Sequence, residues 1–317
     1  MTLTTPVVIL GFNRPDMTQR VFEAVAHARP QKLFLVMDGP RDGSVSDRGS
    51  VAATRGVVTK VAWPCEVVEI FAAENLGLKK RIVSGLTEVF AATNRAIILE
   101  DDCVPDGSFF RYCDELLEKY AEDSRVGVIS GSSRLRGQLV SPHSYDFSAD
   151  LRIWGWATWA RTWDTFVASG DLEASWDEGQ QAGIAQSFPH GARRSAMKKM
   201  LNTATELDSW ALPFAVHCGR RGYVSAVPAE NLVENIGFGQ TSTHTKFEDY
   251  VAHVPASSLS FPLIHPESVA PHPQLDALES KLDAREWWVY PLRHPLDTLA
   301  RFARYGLQWA RTQFLGK

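Results

Sequence analysis

The stretch RAIILEDDCVP at residues 95–105 places three adjacent carboxylates directly after a short apolar run. A continuous apolar run predicts a strand that is buried on both faces of a parallel sheet. Ligands of such sheets bind at the carboxyl ends of the strands. Three like charges at that edge repel one another unless a positive group compensates, and a divalent cation holding a diphosphate would do so. The stretch therefore predicts an α/β fold and a metal-dependent site.

Strand-like and helix-like segments alternate through the first half of the chain. Apolar runs predict five strands, at Val7–Phe12, Leu33–Met37, Val67–Phe71, Ala96–Leu99 and Val126–Ile129. Apolar residues spaced three and four apart predict the intervening helices, at Met17–Ala28, Asp47–Ala62, Lys79–Ala92 and Ser108–Tyr120. This order predicts a doubly wound, mainly parallel sheet flanked by helices, with its polar strand ends along one crevice.

The alternation ends near residue 130, and the domain organisation follows from that change. We predict a catalytic domain at residues 1–254, with a nucleotide-binding half at 1–130 and a loop-rich half at 131–254 that confers substrate specificity. Helical patterns are also visible at Arg193–Thr205 and Trp210–Arg221. A C-terminal extension at 255–317 combines a Pro-rich connector with a basic amphipathic helix at Leu296–Phe314. That helix either contacts an anionic membrane or docks on the domain with its arginines in solvent.

Composition excludes several classes of protein. A formal net charge of -4 argues against a general nucleic-acid binder. The cysteines form no C-x-x-C pair, so neither a zinc site nor a disulfide framework is indicated, and a reducing compartment fits best. The N-terminal residues 1–12 lack the features of a signal peptide, and no segment is apolar enough to span a bilayer. We expect a cytoplasmic protein, with peripheral contact at the inner face of the bacterial membrane left open by the C-terminal helix.

The loop after the first strand, Asn13-Arg14-Pro15-Asp16, contains no glycine cluster. Both the dinucleotide-binding fingerprint and the phosphate-cradling lysine loop are therefore absent. This absence excludes nicotinamide-dependent dehydrogenases and P-loop enzymes, and it disfavours nucleotidyltransferases that build sugar nucleotides. A nucleotide at this edge would instead be held by side chains.

An ordered set of motifs carries a resemblance to a known family. The motifs are Phe12-Asn13-Arg14-Pro15, Asp38-Gly39, Asn75-Leu76-Gly77-Leu78-Lys79-Lys80-Arg81, Glu100-Asp101-Asp102 and Asn235-Ile236-Gly237-Phe238-Gly239 through Thr243-His244-Thr245. Across most of one catalytic domain the chain resembles bacterial GT-A-type glycosyltransferases and, more distantly, the Golgi N-acetylglucosaminyltransferase that begins complex N-glycans.

The resemblance implies a metal-dependent transferase. It would move a sugar from a nucleotide-diphosphate donor, expected to be a UDP-sugar, to a glycan or lipid-linked acceptor with inversion of the anomeric carbon. Two alternatives stay open: a nucleotidyltransferase that forms sugar nucleotides, and an inactive glycan-binding protein on the same fold. The sugar, the acceptor, the linkage and the oligomeric state do not follow from motifs, because pocket shape decides them.

The resemblance also implies a role for each acid of the triplet. Asp102 matches the carboxylate that ligates Mn²⁺ or Mg²⁺, while Asp101 and Glu100 would face the ribose and sugar of the donor. A hard cation with one carboxylate ligand completes its shell with diphosphate oxygens and water. The alternative is that the acids cap the next helix or form a turn.

Four further residues match donor-binding positions of the family. Asn13, Arg14 and Asp38 end the first two strands, where relatives hold the base, ribose or phosphate of the nucleotide. Arg81 lies on the next helix, where relatives place a nucleotide-contacting side chain. Arginine forms charge-assisted bonds that suit a diphosphate. A merely solvated side chain is the alternative, above all for Arg81.

An inverting transfer requires a base that takes the proton of the acceptor hydroxyl. Asp208 is the candidate, because the family sets an acid beside a tryptophan at the start of a helix. In the Golgi relative the acid directly precedes the tryptophan, whereas Ser209 intervenes here. That departure leaves Glu206 as a second candidate, and helix capping as the alternative role of Asp208.

Two late features complete the predicted site. His244 lies on a loop that often covers the donor in GT-A enzymes, so it would ligate the metal or donate to the diphosphate. A plain surface position is the alternative. The cluster Trp154, Trp156, Thr158 and Trp159 would bind the acceptor, with at least one indole exposed to stack on a sugar. Packing in the core is the alternative for these aromatic residues.

Overall fold

The computed structural model describes residues 3–172, 208–238, 254–282 and residue 295. An eight-stranded sheet with the order β3-β2-β1-β4-β8-β6-β9-β7 forms the centre of the fold, and helices flank it. A two-stranded sheet pairs β5 with β10. The strands are β1 Val7–Gly11, β2 Lys32–Met37, β3 Glu66–Phe71, β4 Arg95–Glu100, β5 Cys103–Pro105, β6 Val126–Ser130, β7 Tyr145–Ser148, β8 Trp156–Trp159, β9 Val224–Pro228 and β10 Val233–Asn235. The helices are α1 Pro15–Ala28, α2 Val45–Val58, α3 Leu78–Ala92, α4 Gly107–Lys119, α5 Ala160–Ser169, α6 Ala211–Arg221 and α7 at residues 273–282.

The main sheet is mostly parallel, which confirms the predicted fold class. β1 pairs in parallel with both β2 and β4, and β2 pairs in parallel with β3. β8 is antiparallel to its neighbours β4 and β6, and β7 is antiparallel to β9. The five predicted strands and the helices predicted between them are all present, with boundaries that differ by a few residues. The antiparallel strands and the small second sheet were not predicted.

The apolar strands are buried on both faces, as their sequences predict. In the central strands, Val7, Val8, Ile9 and all of Ala96–Leu99 have no exposed surface. Successive side chains point to opposite faces and join two separate clusters. One cluster contains Ile9 and Leu99, and the other contains Val8 and Ile98. Helices cover both faces of the sheet, so polar side chains that could bind a ligand are confined to the strand ends.

An aromatic cluster joins α5 and α6 to one face of the sheet. Trp156 of β8 stacks on Trp210 at 5.7 Å between ring centroids, and Phe214 contacts both rings. Trp163 and Phe166 complete the cluster from α5. Such ring pairs stabilise a fold by about 0.5–1.5 kcal/mol beyond the area that they bury. The cluster fixes Trp210, and with it the start of α6, against the sheet.

Residues 254–282 pack against the first half of the chain. Leu259 lies in the core, and the Ser258 hydroxyl donates to Asp106 at 3.0 Å. Farther on, the buried Glu279 of α7 accepts bonds from Arg134 and Arg152, each with a 2.7 Å nitrogen–oxygen distance. None of the helices in these described ranges combines the length and hydropathy needed to cross a membrane. The predicted helices at Arg193–Thr205 and Leu296–Phe314 lie outside the described residues.

A buried histidine links α5 to α6. Nδ1 of His217 lies 3.2 Å from Asp171, and Nε2 lies 3.1 Å from the Thr165 hydroxyl. Burial lowers the pKa of His217 below its ordinary value of 6.5, and the nearby Arg221 and Arg220 act in the same direction while Asp171 opposes them. The folded protein therefore protonates this imidazole only at a pH below 6.5.

This histidine makes folding stability depend on pH. Because the unfolded chain takes up the proton at pH 6.5 and the folded chain only at lower pH, the free energy of unfolding should fall as pH drops below 6.5. The slope has an upper limit of about 1.4 kcal/mol per pH unit for one proton. Urea unfolding between about pH 7.5 and about pH 5.5 measures it. The slope should be smaller in His217→Gln; an equal slope in both proteins would exclude His217 as its source.

Candidate functional site

The acidic triplet lies at the carboxyl end of β4, beside the end of β1. Arg14, which follows β1, forms ion pairs with both aspartates: one guanidinium nitrogen contacts Asp101, and Nη1 lies 2.9 Å from Asp102. Asp101 also accepts a backbone hydrogen bond from Phe12. The parallel pairing of β1 with β4 places these groups together. The predicted convergence of Arg14, Asp101 and Asp102 is therefore present in the structure.

The triplet carries more negative charge than Arg14 neutralises. Burial, reinforced by the charges of Asp102 and Asp101, raises the pKa of Glu100 to about 8. Burial also raises the pKa of Asp101 to about 6, although Arg14 opposes this shift. Burial disfavours the charge of Arg14, but its attraction to Asp101 and Asp102 outweighs that cost and raises its pKa. Glu100 is therefore mostly protonated at pH 7, so a metal is not needed to compensate all three acids, yet Arg14 alone does not neutralise both aspartates among the described residues.

The late glycine motif folds onto the triplet. Ile236 donates its backbone N–H to the carbonyl of Asp102 at 2.8 Å, continuing the pairing of β10 with β5. The Gly237 N–H donates to Asn235 Oδ1, also at 2.8 Å. A Cβ atom built on Gly237 would overlap the Asp102 carboxylate, so only glycine allows this approach. Two motifs that lie far apart in the sequence, around Asp102 and Gly237, therefore form one wall of the site.

Substitution of Gly237 tests this contact. Gly237→Ala should force the loop away from Asp102 and lower the free energy of unfolding by about 1–3 kcal/mol, because overpacking strains a close-packed region. Gly107→Ala is the matched control, since a Cβ there would meet no atom within 4 Å. Urea denaturation compares the two variants with the wild type. Equal stabilities for both would mean that the loop does not rest on Asp102.

Asp38, at the end of β2, is anchored by the turn that precedes α3. Its Oδ1 accepts backbone N–H bonds from Gly39 at 2.8 Å and Leu76 at 2.9 Å, and its Oδ2 accepts the Asn75 side chain at 2.9 Å. Burial raises its pKa, while these amides and the charge of Arg81 oppose the shift. The carboxylate ties the ends of β2 and β3 together and keeps one further acceptor position on Oδ2.

Arg81 is a buried cation on α3. Only 8% of its surface is exposed, and its Nε has no hydrogen-bond partner. Within the described residues its guanidinium forms no ion pair, although the charge of Asp38 acts on it. Burial accordingly lowers the pKa of Arg81. Such a side chain is costly to bury unless a ligand completes its hydrogen bonds.

Asn13 and Asp208 have partners that give each a structural role. The Asn13 amide donates to Asp47 at 2.9 Å and so fixes the loop between β2 and α2. Hydrogen bonds from Arg41 and Asn13 hold the pKa of Asp47 well below its ordinary range. Asp208 is exposed, and its carboxylate accepts the backbone N–H groups of Leu78 at 3.0 Å and Lys79 at 3.3 Å. It therefore caps α3 and not the helix that follows it.

The tryptophan cluster divides between core and site. Trp156, Thr158 and Trp159 are at most 4% exposed within β8, so they offer no face to a sugar. For these three residues the predicted acceptor role is wrong, because β8 is an interior strand. Trp154 is only partly buried, and its ring meets Phe238 edge-on at 5.7 Å between centroids. Phe238 directly follows Gly237, so Trp154 borders the wall described above. His244 and Glu206 lie outside the described residues.

Sequence reasoning missed the backbone donors of this site. The Leu76 amide and the Asn75 side chain hold Asp38, but no role was predicted for either residue from the sequence. Gly77 is the signal in the sequence that could have pointed to such contacts, because it directly precedes a helix and has no side chain with which to cap it. In the structure it adopts φ of 79°. A glycine at this position indicates that the helix N-terminus is satisfied from elsewhere.

Comparison with known proteins yields only weak similarity. No protein-family model matches the chain, and no curated protein has a matching sequence. Among solved structures, UDP-glucose pyrophosphorylase complexed with UDP-glucose matches at a TM-score of 0.31 and 10% identity, covering 54% of this chain and 79% of its own. The inositol-1-phosphate CTP transferase from T. maritima matches at 0.31 and 10%, covering 51% and 74%. Similarity at this level gives no basis for assigning a function.

Proposed function

We propose that this protein is a metal-dependent transferase of GT-A type that moves a sugar from a nucleotide-diphosphate donor, a UDP-sugar, to a glycan or lipid-linked acceptor with inversion. One observation carries the proposal. Three carboxylates share one guanidinium at the end of β4, and the buried Arg81, near Asp38 at the end of β2, forms no ion pair among the described residues. A ligand that joins a cation to a nucleotide diphosphate satisfies both groups.

The donor set fits a hard divalent cation. Carboxylate oxygens are the ligands that Mn²⁺ and Mg²⁺ prefer, and such an ion would offset the negative charge that Arg14 leaves on the triplet. Asp102 would hold the ion, with the predicted contribution of His244 added from the late loop. When bound, such an ion stabilises the negative charge that develops on a departing diphosphate. Arg14 orients Asp101 and Asp102 for this role, and its guanidinium would be available to donate to the phosphates of a bound donor.

Asp38 and Arg81 suit a base with an N–H group beside a carbonyl oxygen. The remaining acceptor position on Asp38 Oδ2 can take the N–H, and the Arg81 guanidinium can donate to the oxygen. Uracil presents such a pair through N3–H and O4, and cytosine presents an equivalent pair through its amino group and N3. Asp38 and Arg81 therefore suit a pyrimidine base, and the choice of a uridine nucleotide rests on the family resemblance. Trp154, beside Phe238, is the residue of the predicted acceptor set that can still contact a sugar.

The metal assignment is tested by replacing Asp102. Asp102→Asn should weaken binding of UDP in the presence of Mn²⁺ by about 10-fold or more, because a metal ligand is lost. Glu234→Gln is the matched control, since this β10 carboxylate lies near the triplet but pairs with Arg20 at 3.9 Å. Titration calorimetry with and without Mn²⁺ measures both. Unchanged Mn²⁺-dependent affinity in Asp102→Asn contradicts the assignment.

The reaction itself is tested by its products. The two similar solved structures are nucleotidyltransferases, although their similarity is too low to choose between reactions. A glycosyltransferase incubated with a UDP-sugar releases UDP and forms no pyrophosphate. Pyrophosphate formed from UTP or CTP and a sugar phosphate would support the alternative. Mn²⁺-independent glycan binding without any binding of UDP would support the inactive lectin-like protein.

Substitution of Arg81 should change the affinity for UDP and the free energy of unfolding in different ways. Arg81→Met removes a buried charge that has no ion pair among the described residues, so the free energy of unfolding should stay constant or rise. Binding of UDP should nevertheless weaken by about 10- to 100-fold, because a charge-assisted hydrogen bond is lost. Arg55→Met is the contrasting variant: Arg55 donates to the carbonyls of Asp38 at 3.0 Å and Ala72 at 2.6 Å, so its loss should destabilise the fold. Lower stability with full affinity for UDP in Arg81→Met would refute the role of Arg81.

A further inference from the structure

Four consecutive backbone N–H groups at the start of α3 point at two carboxylates. The Leu76 N–H donates to Asp38 at 2.9 Å, and Gly77 contributes a further backbone bond to the same carboxylate. The next two, Leu78 and Lys79, donate to the two oxygens of Asp208 at 3.0 and 3.3 Å. The first carboxylate belongs to Asp38, which follows β2. The second belongs to Asp208, which precedes α6.

The cap from Asp208 replaces one that the local sequence does not supply. The first N–H groups of an α-helix have no partners within the helix, and a polar side chain at the preceding residue usually satisfies them. That residue here is Gly77, which has no side chain and adopts φ of 79°. A Cβ on Gly77 would lie 3.0 Å from Asp208 Oδ2, so glycine also makes room for the remote carboxylate.

The turn that Asp208 caps is directly connected to the residues of the predicted nucleotide pocket. The turn that Asp208 caps follows directly on Asn75 and Leu76, which hold Asp38, and Arg81 lies in the same first turn of α3. Lys79 adds a second tie, because its Nζ donates to the carbonyl of Leu172 at 2.5 Å. Displacement of this turn would therefore move Arg81 relative to Asp38.

We propose that Asp208 is a positioning residue for the nucleotide pocket and not the general base of the reaction. The inference rests on the proposed function, since it concerns the same site. Both of its carboxylate oxygens accept backbone N–H groups at the N-terminus of α3, so the carboxylate is directed at that helix and not at an acceptor hydroxyl. Asp208 acts through α3: it holds the first turn in place, and that turn sets the distance between Arg81 and Asp38.

Two variants separate the positioning role from the role of a base. Asp208→Ala removes the cap, so amide exchange at Leu78 and Lys79 should accelerate at least about fivefold, and UDP should bind about 3- to 10-fold more weakly. Asp208→Asn keeps a carbonyl oxygen that accepts the same N–H groups, so it should restore most of the affinity for UDP. It should also retain donor hydrolysis with an unchanged pH profile. Asp164→Ala, which alters an exposed acid on α5, is the control.

The outcomes distinguish this inference from the proposed function. Loss of donor turnover in Asp208→Asn with normal affinity for UDP would overturn the inference and restore Asp208 as the base. Faster amide exchange in Asp208→Ala without any change in affinity would also overturn it, because the cap would then be purely structural. If the wild type binds no UDP, the proposed function fails. In that case unchanged exchange at Leu78 and Lys79 in Asp208→Ala would refute the cap as well.

Discussion

The ion pairs from Arg14 to Asp101 and Asp102 are the contacts on which the carboxyl edge of the sheet depends. Three carboxylates meet at the end of β4, where Asp101 is buried and Glu100 and Asp102 are partly buried, and without a cation nearby their mutual repulsion would favour protonation. β1 runs parallel beside β4, and Arg14 in the loop that follows β1 reaches two of the three acids. The same pairs connect the loops after β1 and β4, and the β10 loop then rests on the Asp102 that they hold in place.

The sequence predicted which residues end strands, but not which ends become neighbours. Alternating apolar segments located β1, β2, β3 and β4, and with them the positions of Arg14, Asp38 and the triplet. The partner of the triplet depends on the strand order, which no local pattern encodes. The initial hypothesis therefore assigned all charge compensation to a metal, whereas Arg14 supplies part of it. The predicted positions of these strands are confirmed to within a few residues. The predicted charge compensation of the triplet was incomplete, because it depends on Arg14 beyond the neighbouring strand β1.

Two predictions about side chains depended on contacts that no local pattern encodes. Trp156, Thr158 and Trp159 belong to an antiparallel strand between β4 and β6, and its partners come from segments at least 25 residues away in the sequence. A short tryptophan-rich run has the same appearance whether it lines a groove or fills a core. Asp208 likewise has the residue type and the helix-proximal position expected of a base, but its hydrogen bonds go to α3, about 130 residues earlier. The residue types made these side chains candidates for the site. Their roles depend on contacts with residues that lie far away in the sequence.

The charged residues of this edge differ in whether the fold itself satisfies them. Asp38, Asp47 and Asp208 receive hydrogen bonds from backbone amides or paired side chains, so their charges are supported without a ligand. The triplet keeps excess negative charge, and Arg81 keeps a positive charge whose Nε has no hydrogen-bond partner in the part of the chain that the structure describes. Burying unsatisfied charges of both signs costs stability, and that cost persists where function requires it. A ligand that brings a cation to one group and hydrogen-bond acceptors to the other removes both penalties at once, whereas a purely anionic or purely cationic ligand would relieve only one.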